Sequence, residues 1–247
     1  MTRRPTVIAK CAITLDGYMD KAGDGGGFPV SSREDGEATG RLRIWADAIL
    51  VGADTVRRDK PRLLARSDEA RSVRVSSGRP PDPLKCVMTR SGNIDPDNPF
   101  FTAGESTKYV LGQDPELAAG NLAGLAGVRV VPGLKDLEDV ASFLGEQGIA
   151  RLLIEGGPQI IGQWLEADLV DEMRVAIAPI IMGRLGHGSL GHVSTSTAWG
   201  YQRMTVTGRR ELGDTTVVFL RPPTRTHNPI LPKVDEIALH ELDSLVA

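Results

Sequence analysis

The sequence predicts an α/β fold whose mixed sheet is mostly parallel and ends in an antiparallel hairpin. Short apolar runs alternate with amphipathic segments from Val7 to Met182, and turn residues separate them. Strands that alternate with helices are typical of a parallel sheet. The last two strand-like segments, Tyr201 to Glu211 and Thr215 to Arg221, are joined by Leu212-Gly213-Asp214, which favours a hairpin.

The composition is that of an ordinary globular protein. The chain has 247 residues, of which 40% are hydrophobic and 25% are charged, with a net charge of −3. This length is ample for one large core, and the nearly balanced charge lacks the basic footprint of a nucleic-acid-binding protein. No apolar run reaches membrane-spanning length, and the N-terminus lacks a signal-peptide core. We expect a cytoplasmic protein with no nucleic-acid or membrane partner.

The cysteines and histidines indicate neither a disulfide nor a metal site. Cys11 and Cys86 both lie in apolar strand-like runs, which is typical of buried thiols, and no Cys-x-x-Cys occurs. The four histidines show no zinc-ligand spacing. We therefore expect no bound metal ion.

The early elements are a strand and a capped helix. Val7 to Leu15 is a predicted strand that contains Lys10, and a buried lysine is costly unless its ammonium group has a partner. Ser31 to Asp47 is a predicted helix, with Ser31 and Glu34 spaced as a capping box. Arg43 lies near its end, where the helix dipole favours a cation.

The later elements follow the same alternation. The further predicted strands are 48–51, 84–88, 108–111, 128–131, 151–154 and 174–182, and the further predicted helices are a brief one after Gly52, then 115–125, 137–144 and one that begins at Pro158. The polar segments 66–83 and 93–102 are predicted loops. After a proline-rich spacer, Val234 to Val246 is a predicted amphipathic helix.

The stretch from Arg151 to Met173 organises the chain. A short apolar strand ends at Glu155, Gly156 and Gly157 form a tight turn, and Pro158 begins a helix. A glycine turn before a helix leaves free backbone N–H groups beside the positive end of the helix dipole, which is a favourable place for phosphate. A carboxylate beside a phosphate cradle suggests part of an active site, although Gly-Gly is also common turn chemistry.

Four segments, taken together and in order, resemble one protein family. They are KCAITLDG at 10–17, ADAILVGADTV at 46–56, DKPRL at 59–63 and LIEGGP at 153–158. Their order and spacing resemble the reductase domain of bacterial riboflavin biosynthesis and its stand-alone archaeal and fungal relatives. The resemblance covers about Val7 to Arg221, so we expect a reductase domain at 1–221 and a spacer with a short helical tail at 222–247.

The resemblance implies a fold, a cofactor and a reaction. The fold would be that of dihydrofolate reductase, a three-layer αβα arrangement with NADPH across the strand ends. The enzyme would reduce a ribosylaminopyrimidine 5′-phosphate at C1′ of its ring-opened ribose, by hydride transfer from NADPH, to the ribitylamino product. It would act as a homodimer on this small-molecule substrate. Whether the pyrimidine is reduced before or after deamination stays open.

The family's roles transfer to named positions of this sequence. The positions that match cofactor contacts are Ala12, Thr55, Asp59, Thr89, Arg90, Gly156, Gly157, Pro158, Gln159, Ile160, Ile161 and Gly162. The positions that match substrate contacts are Lys10, Arg43, Leu63, Arg66 and Glu155. Lys10 and Glu155 are the catalytic candidates, and which of them supplies a proton stays open. Two arginines suit a phosphate ester, since guanidinium binds phosphate in a bidentate way.

Departures from the family keep other functions open. Val30-Ser31-Ser32 stands where many relatives have an aromatic or polar residue before a Thr-Ser pair. Thr89-Arg90 stands where Asp-Ser is usual, and Arg90 is the candidate for the cofactor's 2′-phosphate. The deaminase signature, His-x-Glu with Pro-Cys-x-x-Cys, does not occur. A pterin reductase or a secondary-metabolism reductase on the same fold is an alternative, as is a non-catalytic NADPH-binding module.

Overall fold

The computed structural model describes residues 4–23, 28–189 and 203–226, together with residues 230, 231 and 234. The strands are β1 (Thr6–Thr14), β2 (Tyr18–Lys21), β3 (Ala48–Gly52), β4 (Leu84–Met88), β5 (Lys108–Leu111), β6 (Val128–Val131), β7 (Arg151–Ile154), β8 (Glu172–Ala178), β9 (Gly186–Ser189), β10 (Thr205–Leu212) and β11 (Thr215–Arg221). The helices are α1 (Arg33–Trp45), α2 (Ala53–Asp59), α3 (Asp68–Ser76), α4 (Pro99–Thr102), α5 (Leu137–Glu146) and α6 (Pro158–Glu166).

One large mixed sheet forms the centre of the molecule. In the described residues it has nine strands, in the order β10-β11-β8-β1-β7-β3-β4-β5-β6. The strands from β8 to β6 pair in parallel, whereas β11 is antiparallel to β8 and to β10. The predicted mixed, mostly parallel sheet with a C-terminal antiparallel pair is therefore confirmed. From β3 to β6 successive strands are added on one side of β1, whereas β7 inserts between β1 and β3 and β8 pairs on the other side of β1. The carboxyl ends of the strands next to such a change in strand order are the usual place for a ligand.

Helices cover both faces of the sheet and create two cores. One core joins the sheet to α5 and α6, with Leu144, Ile161 and Trp164 fully buried. The other joins the opposite face to α1 and α2, through Leu42 and Val56. Successive residues of a strand point to opposite faces, and both faces are covered, so the central strands are mostly apolar. This is the three-layer architecture that the resemblance implies.

Two predicted loops contain helices. Segment 66–83 contains α3, and segment 93–102 contains α4. Helix α3 was hidden by its polar sequence, because it buries only Ala70, Val73 and Arg74. Arg74 is 1% exposed and donates to the carbonyls of Ile44 and Ala46 at the end of α1. A buried arginine that binds the terminal carbonyls of another helix produces no apolar pattern in the sequence.

Other local predictions were also wrong in detail. The N-cap of α1 is Ser32, whose hydroxyl accepts from the Asp35 N–H at 3.2 Å, so the predicted capping box of Ser31 and Glu34 does not form. The predicted helix at 115–125 is only a 3₁₀ turn at Pro115–Ala119. The glycine-rich segment after Met182 contains β9, which pairs with β2.

The described part of the C-terminal tail packs against the body. Leu231 and Val234 are fully buried in the core on the α1 side. The Glu172 carboxylate accepts from the N–H groups of Ile230 at 2.6 Å and Leu231 at 2.9 Å. The rest of the predicted helix at 234–246 lies outside the described residues. Of the helices in the described part, none has the length and apolarity to cross a bilayer.

Candidate active site

A cleft of 1640 Å³ runs along the carboxyl ends of the parallel strands. Most of the predicted site residues line it: Lys10, Ala12, Thr55, Asp59, Thr89, Arg90, Glu155, Gly156, Gly157, Pro158, Gln159 and Ile160. Five predicted residues do not line it: Arg43, Leu63, Arg66, Ile161 and Gly162. The structure therefore brings together segments that are far apart in sequence, and it places the two predicted phosphate arginines behind or beside the cleft.

Strand register produces a row of charges across the sheet. The parallel pairing matches Ala9 with Ile154, so Lys10 lies level with Glu155, and it matches Lys10 directly with Arg174 of β8. Ile8 and Ala12 pack in the core on the α1 side, so Lys10, with the same alternation, faces α1 as well. Arg174, Lys10 and Glu155 thus form a row on three neighbouring strands beneath one helix.

Helix α1 supplies a partner at each end of this row. Arg43 binds Glu155 in a bidentate pair, with Nε 2.7 Å from Oε1 and Nη2 2.8 Å from Oε2. Asp35 binds Arg174, with Oδ1 2.5 Å from Nη1, and both side chains are fully buried. Asp35 and Arg43 are eight residues apart in the sequence, about two helical turns, and so share one side of α1.

Lys10 lies between these two ion pairs. Within the described residues it forms no hydrogen bond and no ion pair within 4.0 Å. Burial lowers the pKa of Lys10; Glu155 and Asp35 partly offset this, and Arg174 and Arg43 add to it. The ammonium group therefore holds its proton less tightly than a solvated lysine does. A buried amine with a lowered pKa and no fixed partner is suited to proton transfer.

Glu155 is held in its ionised form. Its side chain is 7% exposed, and that of Arg43 is 12% exposed. Burial by itself would raise the pKa of Glu155, but the charge and hydrogen bonds of Arg43, assisted by Lys10 and Arg66, lower it below its ordinary value. Both carboxylate oxygens already accept from Arg43, so Glu155 is an acceptor and a fixed negative charge rather than a proton donor at neutral pH.

The turn before α6 forms an anion cradle. Gly157 is the N-cap with φ 72°, and it provides no side-chain cap. The first hydrogen bond into the helix runs from the Ile161 N–H to the Gly157 carbonyl at 3.1 Å, so the N–H groups of Gln159 and Ile160 come before it. A Cβ on Gly156 would lie 3.1 Å from Cγ2 of Thr55, and one on Gly52 only 2.8 Å from Cγ1 of Ile160. Glycine at these positions lets α6 begin close to α2.

The strands β2 and β9 form a small antiparallel flap against the cleft. Met19, Asp20, His187 and Gly188 of this flap line the cleft. Asp20 binds Arg58 of α2 at 3.0 Å, and a Cβ on Gly188 would lie 2.9 Å from Cγ of Pro158. The flap therefore contacts both α2 and the start of α6.

The loop that carries Leu63 and Arg66 is fixed by its backbone. Leu63 is buried with a positive φ of 49°, which is uncommon for a leucine. Arg43 donates to the Leu64 carbonyl at 3.0 Å, and Asp82 accepts from the Ala65 N–H at 2.8 Å. Arg66 directly follows these two hydrogen bonds in the chain, and it is exposed.

Sequence reasoning missed Asp35, Arg174 and the flap. Asp35 stands at a polar position of a predicted helix, and Arg174 begins an apolar run. Neither position by itself indicates a functional residue. Only the register of β8 against β1 brings Arg174 beside Lys10. The spacing of eight residues between Asp35 and Arg43 was the available signal, because it places two opposite charges on one helix side. In the described part of the chain, no group of three or more potential metal ligands occurs.

Two solved structures share this fold. The chain superimposes on the deaminase/5-amino-6-(5-phosphoribosylamino)uracil reductase of Thermotoga maritima with a TM-score of 0.72 and 22% identity, over 89% of this chain and 57% of that chain. It superimposes on the yeast riboflavin biosynthesis reductase Rib7 with a TM-score of 0.63 and 19% identity, over 90% of this chain and 91% of that chain. These similarities define the fold class.

The chain belongs to the RibD C-terminal domain family, whose model matches residues 5–218. Among curated proteins it is 34% identical to the 2,5-diamino-6-ribosylamino-4(3H)-pyrimidinone 5′-phosphate reductase of Methanothermobacter thermautotrophicus, over 73% of this chain and 80% of that protein. It is 31% identical to the protein of the same name from Archaeoglobus fulgidus, over 73% of this chain and 83% of that protein. The suspected family is therefore confirmed.

Proposed function

We propose that this protein is an NADPH-dependent reductase of a ribosylaminopyrimidine 5′-phosphate in riboflavin biosynthesis. The observation that carries the proposal is the cleft itself, which joins the anion cradle at Gly157 to the charged row at Lys10 and Glu155. Membership of the RibD C-terminal domain family and two relatives named as pyrimidinone phosphate reductases support the same substrate class.

The cradle fits the phosphates of a dinucleotide. Gly156 and Gly157 permit close approach to the backbone, and the N–H groups of Gln159 and Ile160 are available for phosphate oxygens. Thr55 packs against both glycines, while Ala12 and Asp59 line the same cleft. When bound, NADPH would supply the hydride. Arg90, exposed after β4, is the proposed partner of its 2′-phosphate.

The charged row suits the sugar and the pyrimidine of the substrate. Glu155, fixed by Arg43, presents a carboxylate that can accept hydrogen bonds from hydroxyl or amino groups. Since Arg43 already uses three donors on Glu155 and Leu64, Arg66 becomes the main candidate for the terminal phosphate. This revises the expectation that both arginines bind the phosphate.

Reduction of an imine requires a hydride at C1′ and a proton at the nitrogen. Glu155 is ionised and its oxygens are occupied by Arg43, whereas Lys10 has a proton, a lowered pKa and no fixed partner in the described residues. We assign the proton donor to Lys10 on these grounds. Lys10 lines the cleft, so its ammonium is accessible to a substrate bound there.

We also propose a homodimer. Large apolar side chains are exposed at Leu15, Ile181 and Leu185, with exposed fractions of 63%, 75% and 59%. Apolar surface of this kind is typical of an interaction site. Light scattering at micromolar concentration should give the mass of two chains, and a single-chain mass would reject the dimer.

The direct test is an NADPH oxidation assay with a choice of substrates. Both ribosylaminopyrimidine 5′-phosphates, the one before and the one after deamination, are compared with dihydrofolate. Turnover of one or both phosphates without turnover of dihydrofolate supports the proposal. Turnover of dihydrofolate alone would favour a pterin reductase, and binding of NADPH without turnover of any substrate would favour a non-catalytic module.

A further inference from the structure

Helix α1 contains two interior glycines on the side that faces Arg66. Gly36 and Gly40 are one turn apart, and glycine in a helix interior costs about 0.5–1 kcal/mol relative to alanine. A Cβ on Gly36 would lie 3.3 Å from Nη1 of Arg66. A Cβ on Gly40 would lie 3.5 Å from Cδ and 3.8 Å from Cγ of the same side chain. The Arg66 side chain therefore runs along the helix, with its stem at Gly40 and its guanidinium at Gly36.

We propose that Gly36 and Gly40 are positioning residues, which form a groove that holds the Arg66 guanidinium in place for the substrate phosphate. This inference rests on the proposed function. Hydrogen bonds from Arg43 and to Asp82 already fix the backbone beside Arg66. The groove therefore acts on the side-chain conformation of Arg66.

The groove explains how an exposed arginine can be preorganised. A solvated arginine loses considerable rotamer entropy when it binds a ligand. A Cβ at Gly36 would crowd the guanidinium at 3.3 Å, so glycine there lets the side chain lie along the helix. This placement restricts its rotamers in advance and leaves the guanidinium open to an anion. The guanidinium then lies near the Arg43–Glu155 pair, whose charges act on it.

The test uses Gly36→Leu, because leucine is a good helix former and fills the groove. We expect the KM for the phosphorylated substrate to rise about tenfold. This is at the low end of the 10- to 150-fold loss of kcat/KM expected when Arg66→Ala removes a charge-assisted contact. NADPH affinity and turnover of the dephosphorylated substrate should not change. Gly36→Ala should raise the KM less, while its Tm rises by about 1–4 °C because the helix gains an alanine.

A double-mutant cycle with Arg66→Ala gives the decisive result. In the Arg66→Ala background, Gly36→Leu should have no further effect on KM. An equal effect in both backgrounds, or no effect of Gly36→Leu alone, would overturn the groove while a large effect of Arg66→Ala still supports the proposed function. If Gly36→Leu does not fold, the same cycle with Gly36→Ala decides between these outcomes. If Arg66→Ala itself has no effect, the phosphate role of Arg66 fails, and the groove proposal fails with it.

Discussion

Lys10 owes its properties to residues on three other elements. Arg174 lies beside it on β8, Glu155 lies level with it after β7, and α1 contributes Asp35 and Arg43 from above. The row and its two partners on α1 together contain three cations and two carboxylates, so the group has a net positive charge before Arg66 is counted. A buried excess of positive charge destabilises the free protein and favours an anionic ligand.

The pH dependence of turnover tests the role of Lys10. If its protonated form is required, activity falls as pH rises through its pKa, and burial places this fall below the range of a solvated lysine. Glu155→Gln removes the largest charge that favours the protonated form, so the alkaline limb of kcat should move to lower pH. Glu138→Gln, a carboxylate elsewhere in the cleft, is the control. An alkaline limb that stays in place in Glu155→Gln would contradict the assignment.

Coenzyme choice is a second test at this scale. Arg90 and Arg57 are both exposed arginines of the cleft, but Arg57 already binds Asp54 and the Asn93 carbonyl. Arg90→Ala should weaken NADPH about 10- to 150-fold, as expected for a lost charge-assisted bond, and should leave NADH almost unchanged. Arg57→Ala should affect neither by much. Equal losses for NADPH and NADH in Arg90→Ala would move the 2′-phosphate elsewhere.

Among the elements, the glycine turn that leads into α6 has the clearest role. A matched pair of variants separates its function from simple backbone strain. Gly157 and Gly148 have similar positive φ values, 72° and 80°, but only Gly157 lines the cleft. Alanine at Gly148, where a Cβ would meet no atom within 4 Å, should cost about 1–2 kcal/mol of stability. Alanine at Gly157 should cost at least as much, because its Cβ would lie 3.2 Å from Oγ1 of Thr55. Only Gly157→Ala should also weaken NADPH binding, by about tenfold or more, measured by calorimetry. Equal NADPH affinity in the two variants would argue against the cradle.

Sequence patterns predicted the elements whose ends are marked by turn-forming residues such as glycine and proline. The strand, glycine turn and Pro158 of α6 are marked by residues whose backbone preferences allow few alternatives. Helix α3 has an N-cap serine and an acidic first turn but little apolar pattern, because its largest buried residue, Arg74, contacts carbonyls of a distant helix. The charged row could not be predicted either, since it depends on the pairing of β1 with β8, which the residues of each strand do not encode separately.

For the whole molecule, the C-terminal tail closes the core on the α1 side. Glu172 accepts from two tail N–H groups, and Leu231 and Val234 fill the core beside Phe219. Glu172→Gln replaces one of the two acceptor oxygens by a donor and should cost about 1–3 kcal/mol of unfolding free energy. Chemical denaturation measures this loss, with Glu211→Gln on the exposed part of β10 as control. Equal stabilities of the two variants would mean that the tail contributes little.

We propose that this cleft is the site at which a phosphorylated ribosylaminopyrimidine is reduced. The most direct measurement is kcat/KM for the 5′-phosphate and for its dephosphorylated form, in the native protein and in Arg66→Ala. The native protein should strongly prefer the phosphate, Arg66→Ala should lose about 10- to 150-fold on the phosphate, and the dephosphorylated compound should be nearly indifferent to the mutation. Equal turnover of both compounds by the native protein would contradict the account and favour a substrate without a terminal phosphate.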